Sequence, residues 1–420
     1  MHALLVTVGT GGDIFPYIGL GRVLRARGHQ VTLVAPEDFA SLAAEYGIAF
    51  RAVVSLQENH ELLANPDFWH RFKAGGVAAR WGMRLLERQY QLISELADGE
   101  QTIFVSNPGL VAATIVAQKR GKPMANLILQ PWMIPSSIAP PVMFGYEFPR
   151  ATPRWALKVF WRLLDTAGDW LVGQEINRIR LSAGLPRVRG ILTHWLSPEL
   201  IIGMFPEWYG PPQADWPRQI RLAGFPMFDG TVQEGLPPGL REFCSAGTPP
   251  IVFTFGTGMM HAMKMFNAAV EACRILNRRG IFLTKYTDQL PASVPPFIGH
   301  WDFAPFQELF PHCAAVVHHG GIGTTAKALA AGVPQLILPL AFDQPDNGIR
   351  MKRLGAGDWL KQRKISGGSI AERLSRLITP ETHDCCRVLA KRFVAEDSLQ
   401  IAADWVEELA ERRLSESTVR

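Results

Sequence analysis

The chain has 420 residues, 47% apolar and 19% charged, with a formal net charge of +5. That is more than one hydrophobic core usually holds, so two domains are expected, and the scattered cations argue for mild attraction to anions rather than a nucleic-acid groove. Five cysteines without metal-ligand spacing argue against a disulfide framework or a zinc site.

The opening MHALLVTVGTGGD lacks a basic leader, and no apolar run is long enough to span a bilayer. A soluble protein of a reducing, cytoplasmic compartment is expected. ALLVTV reads as a buried strand, GTGGDIFP as a turn and YIGLGRVLRARG as an amphipathic helix ended by Gly28. Pro16 suits a first helical position, where a missing N–H costs nothing. HQVTLVA, TIFVSN and MANLILQP follow as strands of a parallel sheet. A nicotinamide-dinucleotide unit fits poorly here, because Pro16 stands where helix–strand packing wants a small residue.

FWHRFKAGGVAARWGMRLLERQYQ sets Phe72 and Trp81 among Arg71, Lys73, Arg80, Arg84 and Arg88. The pattern suits a peripheral seat on the inner face of a membrane; the plainer account is a helix with core aromatics and solvated cations. Residues from about 130 to 220 are rich in Pro and Trp, among them Trp132, Trp155, Trp161, Trp170, Trp195, Trp208 and Trp216. PEWYGPPQADWP reads as a connector, since repeated prolines exclude regular elements. The resulting division is an N-terminal domain over 1–210, a linker over 211–222 and a second domain over 223–395. A terminal helix over 396–420 is expected to fold back on the first domain.

The second half alternates again: PIVFTFGTG, GIFLTKY, AAVVHH and PQLILPL are strands. AAVVHHGGIGTTAKALAAG joins a buried strand, a glycine turn and a helix, and free N–H groups at a helix start favour an anion such as a diphosphate. Thr324 and Thr325 add hydroxyl donors and a histidine adds an imidazole N–H. No Gly-Lys-Ser/Thr follows, so this is not a Walker loop. Downstream, Asp343 and Gln344 can accept from and donate to neighbouring sugar hydroxyls. Asn347 reads as the cap of the helix GIRMKRLG.

These stretches resemble the donor-binding signature of the family-1 glycosyltransferases, whose α/β GT-B fold sets two Rossmann-like α/β/α domains face to face across a cleft. His319, Gly321, Thr324, Thr325, Gly332, Pro334, Asp343 and Gln344 fall on that signature. The resemblance implies that His319, Thr324, Thr325, Gly321, Gly323, Gly256 and Thr257 hold the donor diphosphate, and that Asp343 and Gln344 hold the sugar. In WDFAPFQELFPHC it implies Phe303 stacking on the base and the Ala304 backbone meeting the base edge. Many relatives carry a glutamate for the ribose hydroxyls where Lys327 stands here. A cation cannot accept two hydroxyl hydrogen bonds, so a deoxyribose donor, a dTDP-sugar, becomes easier to accept.

Asp13, three residues before Pro16, matches the G-x-x-G-D-x-x-P turn of the bacterial and sterol-type branches and is implied as the base that takes the acceptor proton. Phe15 and Trp132 are expected at the acceptor pocket. GDIFPYIGLGRVLRARGH, GFPMFDG and HHGGIGTTAKALAAGVPQLILP further resemble the rhamnolipid rhamnosyltransferase branch. That branch implies an inverting transfer of L-rhamnose from dTDP-L-rhamnose to a hydroxyacyl lipid, with no cofactor and no metal, since no Asp-x-Asp or His/Cys cluster occurs. The alternatives are a UDP-glucose-dependent transferase acting on a lipid, sterol or flavonoid, a nucleotide-sugar epimerase, and a non-catalytic nucleotide-sugar-binding partner. No nucleic-acid partner is expected, and the oligomeric state is not legible.

Overall fold

The computed structural model describes residues 1–99, 101–194, 196–230, 235–393 and 397–418. Trp195 and the expected boundary at 395–396 lie outside them. Two parallel sheets carry the chain. The first holds β1 (His2–Val6), β2 (Gln30–Pro36), β3 (Ala49–Val54), β4 (Thr102–Ser106), β5 (Met124–Ile128), β6 (Leu200–Gly203) and β7 (Ile220–Leu222) in the order β3-β2-β1-β4-β5-β6-β7. The second holds β8 (Ile251–Thr254), β9 (Gly280–Leu283), β10 (Ile298–Trp301), β11 (Ala315–His318), β12 (Gln335–Ile337) and β13 (Gly357–Trp359), ordered β10-β9-β8-β11-β12-β13.

Helices cover both faces, which is why β1, β4, β5, β8 and β11 read as unbroken apolar runs. Strand order reverses between β1 and β4 in one sheet and between β8 and β11 in the other. Ligands of such sheets bind beyond the carboxyl ends of the strands at that reversal. The turns after β1, β8 and β11 therefore sit where function is expected.

Two elements differ from the expectation. The stretch 211–222 is not free of regular structure: β7 is the edge strand of the first sheet, pairing Ile220, Arg221 and Leu222 with Ile201, Ile202 and Gly203. Prolines are tolerated ahead of a short edge strand, where only one side of the backbone needs partners. The first helix runs Gly11–Ala26, so Pro16 lies inside it. Thr10 and Asp13 form a capping box that starts the helix earlier than the proline would.

The terminal helix Ser398–Thr418 returns to the first sheet. Leu399, Val406 and Leu409 are buried with Leu20, Val23 and Leu24 of the first helix, each worth about 1.5–3 kcal/mol. Arg27 adds ion pairs to Asp404 and Glu407 at 2.6 and 2.7 Å, but partly exposed pairs contribute about 0–1 kcal/mol, so apolar burial carries the docking.

One apolar cluster spans both sheets. Ile128, Ile201, Phe205, Tyr209 and Phe225 pack with Ala326, Leu329, Ile337 and Met351, and the Phe225 ring stacks on Phe393 at 5.8 Å. The cleft between the sheets is thus closed along one side by a shared core.

Candidate active site

At the end of β1 the chain turns straight into the helix Gly11–Ala26, and Asp13 stands in its first turn. Asp13 Oδ2 accepts from the Thr10 N–H at 2.9 Å and from the Thr10 hydroxyl at 3.4 Å. That oxygen fixes the helix start; among the described residues Oδ1 receives no hydrogen bond and is left for the cleft. Burial outweighs the two threonine bonds and raises the carboxyl to about 6.

The turn after β8 crosses to meet it. Gly11 N–H donates to Thr257 Oγ1 at 3.2 Å, a bond between the two halves of the molecule. The Thr257 hydroxyl keeps its proton for another acceptor.

After β11 the two histidines diverge. His318 is fully buried; its Nδ1 accepts from Gly320 N–H at 3.1 Å and its Nε2 faces Gln335 Oε1 at 3.0 Å. Burial lowers it to about 3, so it is a neutral structural ring. His319 lies in a slot between glycines. A Cβ on Gly321 would stand 2.5 Å from its Nε2, and one on Gly256, whose φ is +96°, would stand 3.0 Å from its Cε1. Burial lowers His319 to about 4, and its buried Nδ1 has no partner. A buried polar atom without a partner costs about 1–3 kcal/mol, which a ligand contact would recover.

The helix Ile322–Ala330 starts directly behind this slot, with Gly321 as its cap. Its N-terminus and that of the helix Gly11–Ala26 face the same crevice, lined by Gly12, Phe15, Leu129, Phe228, Gly323 and Lys327. A Cβ on Gly12 or on Gly323 would meet nothing within 4 Å, so both glycines open onto space. Gly11 and Asp13 N–H are already spent on Thr257 Oγ1 and Thr10 O, so Gly12 N–H and the start of the helix Ile322–Ala330 are what remain to favour an anion at this otherwise largely apolar crevice. Lys327 is 6% exposed, lines the crevice and makes no ion pair or hydrogen bond among the described residues. Burial lowers its ammonium to about 8, partly opposed by Asp229.

Thr325 faces elsewhere. It is fully buried, its hydroxyl donates to Gly321 O at 3.0 Å, and its carbonyl accepts from Gln335. Each step along the helix rotates the side chain by about 100°, so Thr325 falls on the sheet side although Gly323, Ala326 and Lys327 line the crevice.

After β12, Phe342 adopts φ +56°, unusual for a bulky side chain and costing about 1–2 kcal/mol. Its ring meets Phe68 of the other half at 5.2 Å, and the bend carries Asp343 into the cleft. Burial, and next the nearby charge of Asp13, raise Asp343 to about 7. Gln344 Oε1 accepts from the N–H groups of Leu340 and Ala341 at 2.8 and 3.2 Å, so only its amide NH2 is left for a ligand. The helix starts at Gln344, not after Asn347. Asn347 is fully buried inside the first turn and its side chain bonds laterally instead of capping.

Of the other expected residues, Phe303 is 45% exposed on the loop after β10, open to stacking, while Ala304 is buried beside it. Phe15 is half-buried, edge-on to Phe39. Trp132 is half-buried and donates to Val142 O at 3.1 Å. Gly12, Tyr209 and the lateral bonding of Asn347 were not legible as site features; a glycine pair at a helix start was the one local signal. Among the described residues no group of three or more His, Cys, Asp and Glu side chains is placed to hold a metal ion, and no helix is long and apolar enough to cross a membrane.

Residues 3–126 match the model of the glycosyltransferase family 28 N-terminal domain, and residues 281–409 that of the erythromycin biosynthesis protein CIII-like C-terminal domain. The chain is 30% identical over 402 residues to a vancomycin aglycone glucosyltransferase of Amycolatopsis orientalis, covering 91% of each chain. It is 29% identical over 437 residues to an O-mycaminosyltylonolide 6-deoxyallosyltransferase of Streptomyces fradiae, covering 100% of both. A solved spinosyn rhamnosyltransferase complexed with thymidine diphosphate superposes with a TM-score of 0.67 at 17% identity, over 97% of this chain and 100% of that one.

Proposed function

From its membership of the family-1 glycosyltransferases with the GT-B fold, which makes the chain a nucleotide-sugar-dependent glycosyltransferase, we propose an inverting transfer of a hexose, L-rhamnose from dTDP-L-rhamnose, to a hydroxyl of a hydrophobic acceptor. The observation that carries it is the meeting of two carboxylates, Asp13 and Asp343, beside a crevice walled by two helix N-termini.

In this reading the donor diphosphate lies between Gly12 and Gly323, with Thr257, Thr324 and His319 Nδ1 as further donors. Asp343 and the Gln344 amide hold the sugar hydroxyls. Asp13 Oδ1 takes the acceptor proton as the acceptor oxygen bonds to the anomeric carbon. The bond from that carbon to the diphosphate oxygen breaks, and the nucleoside diphosphate leaves on the opposite face with the electron pair. Helix N–H groups offset its growing charge, and no metal is required for that. A carboxylate raised to about 6 is a stronger base than a free aspartate and is still ionised at pH 7.

Support for a dTDP-sugar comes from Lys327. Buried, with Asp229 as a nearby counter-charge, it presents an ammonium where acceptance of two ribose hydroxyls would need a carboxylate. The thymidine diphosphate in the spinosyn rhamnosyltransferase agrees with that choice. Support for a lipid acceptor and a peripheral membrane seat comes from the surface. Trp155, Val159, Leu163 and Trp170 are exposed along one face of the helix Arg154–Ser182, beside Arg154, Lys158 and Arg162. Trp81, in contrast, packs against the first domain's core. An antibiotic-type aglycone is the second reading, favoured by the similarity to a vancomycin aglycone glucosyltransferase and an O-mycaminosyltylonolide 6-deoxyallosyltransferase.

Thermal-shift screening with dTDP, UDP and their sugars, followed by transfer to hydroxyacyl lipids and to vancomycin aglycone or O-mycaminosyltylonolide, tests this. Stronger stabilisation by UDP-glucose than by dTDP-rhamnose refutes the donor. Epimerised donor formed without acceptor refutes the transfer.

A further inference from the structure

The bond set of Asn347 has a function beyond holding a helix. Its Nδ2 donates to Asp343 Oδ2 at 2.7 Å and to Gly320 O at 2.8 Å, while its Oδ1 accepts from the Tyr209 hydroxyl at 2.7 Å. Both amide hydrogens and the amide oxygen are engaged, and Asn347 and Tyr209 are 0% and 3% exposed. The first two partners belong to the donor half: the carboxylate beside Asp13, and the turn that carries His319. The third belongs to the other half of the molecule, in the stretch between β6 and β7.

We propose that Asn347 is a positioning residue for Asp343 and for the His319 turn, and that Tyr209, from the other half, locks its amide in the orientation that serves both. The tyrosine hydroxyl can only donate to Oδ1 in one amide orientation. If the amide flips, its oxygen faces the Asp343 carboxylate and the Gly320 carbonyl, two acceptors with nothing to donate. Asp343 and Gly320 thus fix the amide orientation, and the Tyr209 hydroxyl satisfies the Oδ1 that this orientation turns toward the other half.

Tyr209 is itself held from the donor half. Arg350 donates to Tyr209 O at 2.9 Å and lies 5.6 Å from its ring centroid, and it pairs with Asp346 at 2.6 Å. Asp346 in turn accepts from Val142 N–H at 2.9 Å. The charged groups acting on Asp343 are Asp13 and Asp346, both of which raise it, while the Asn347 bond lowers it. The inference rests on the transferase reading.

The test compares full-length wild type, Tyr209→Phe and Asn347→Ala for kcat, KM for the nucleotide sugar, pH profile, and calorimetric binding of dTDP and UDP. Tyr209→Phe is expected to fold, to bind the nucleoside diphosphates within about two-fold of wild type, and to lose about ten-fold in kcat, as for a displaced positioning group. Asn347→Ala is expected to move the acid limb of the pH profile upward, because the bond that favours ionised Asp343 is gone. A purely packing role would leave that limb in place. The inference is overturned if wild type transfers sugar while Tyr209→Phe keeps its kcat, or if both variants lose activity only in proportion to nucleoside-diphosphate affinity. If Asn347→Ala does not fold, the kcat of Tyr209→Phe decides. Absence of transfer by wild type counts against the transferase reading and not against the positioning.

Discussion

Replacing Asp13 by Asn removes the proposed base while preserving the fold around it. The amide oxygen can still accept from the Thr10 N–H that the carboxylate holds at 2.9 Å, so the helix start survives. Loss of a general base costs about 10²–10⁴ in rate, or about 3–5 kcal/mol of barrier. The pH dependence is sharper than the loss itself. Asp13 is raised to about 6 and Asp343 to about 7, and both are needed as carboxylates. At pH 5 they are about 10% and about 1% ionised respectively, so the logarithm of kcat/KM should fall with slope one from pH 7 and approach two below pH 6. In Asp13→Asn the charge that raises Asp343 is gone, and the residual activity should show one limb, moved to lower pH.

Stability moves the other way. Both acids have folded values above their unfolded ones, so the folded state binds protons more tightly and stability falls as pH rises from about 4 through 6 and 7. Asp13→Asn should therefore melt higher than wild type at pH 8, by on the order of 1 kcal/mol in stability, and show little or no gain over wild type at pH 4. Transfer assays and melting curves from pH 4 to 9 check this. Retention of more than about a tenth of wild-type kcat at pH 8, or a melting gain that is the same at pH 4, refutes the reasoning.

Gly323→Ala should leave the melting temperature unchanged, since nothing stands within 4 Å of the new Cβ, yet weaken dTDP binding by calorimetry about ten-fold or more by filling the crevice. Gly256→Ala should instead lower the melting temperature, because φ +96° and the His319 ring at 3.0 Å oppose any side chain. Phe225→Ala, at the core shared by the two halves, should cost about 3–5 kcal/mol in denaturant unfolding. Trp155→Ser with Trp170→Ser, at 68% and 87% exposure, should not alter unfolding but should abolish sedimentation with anionic-lipid vesicles.

Much of this protein was legible in one dimension because its signals are local. Apolar runs such as ALLVTV and AAVVHH must be buried on both faces, which dictates parallel strands under helices. A glycine turn between such a strand and a helix dictates an anion-binding end. The order of strands, the closure of the halves and the direction of each side chain depend on packing between distant segments. Thr325 and Thr324 are neighbours in sequence, but helical rotation turns Thr325 to the sheet. Gln344 reads as a sugar ligand, yet its oxygen is consumed by the turn that precedes it. Asn347 reads as a cap, and only a tyrosine 138 positions away shows that it ties two halves together. Chain chemistry determined which groups are available; the tertiary structure decided which remain unpaired, because hydrogen bonds between remote residues are settled only when the core that brings them together has formed.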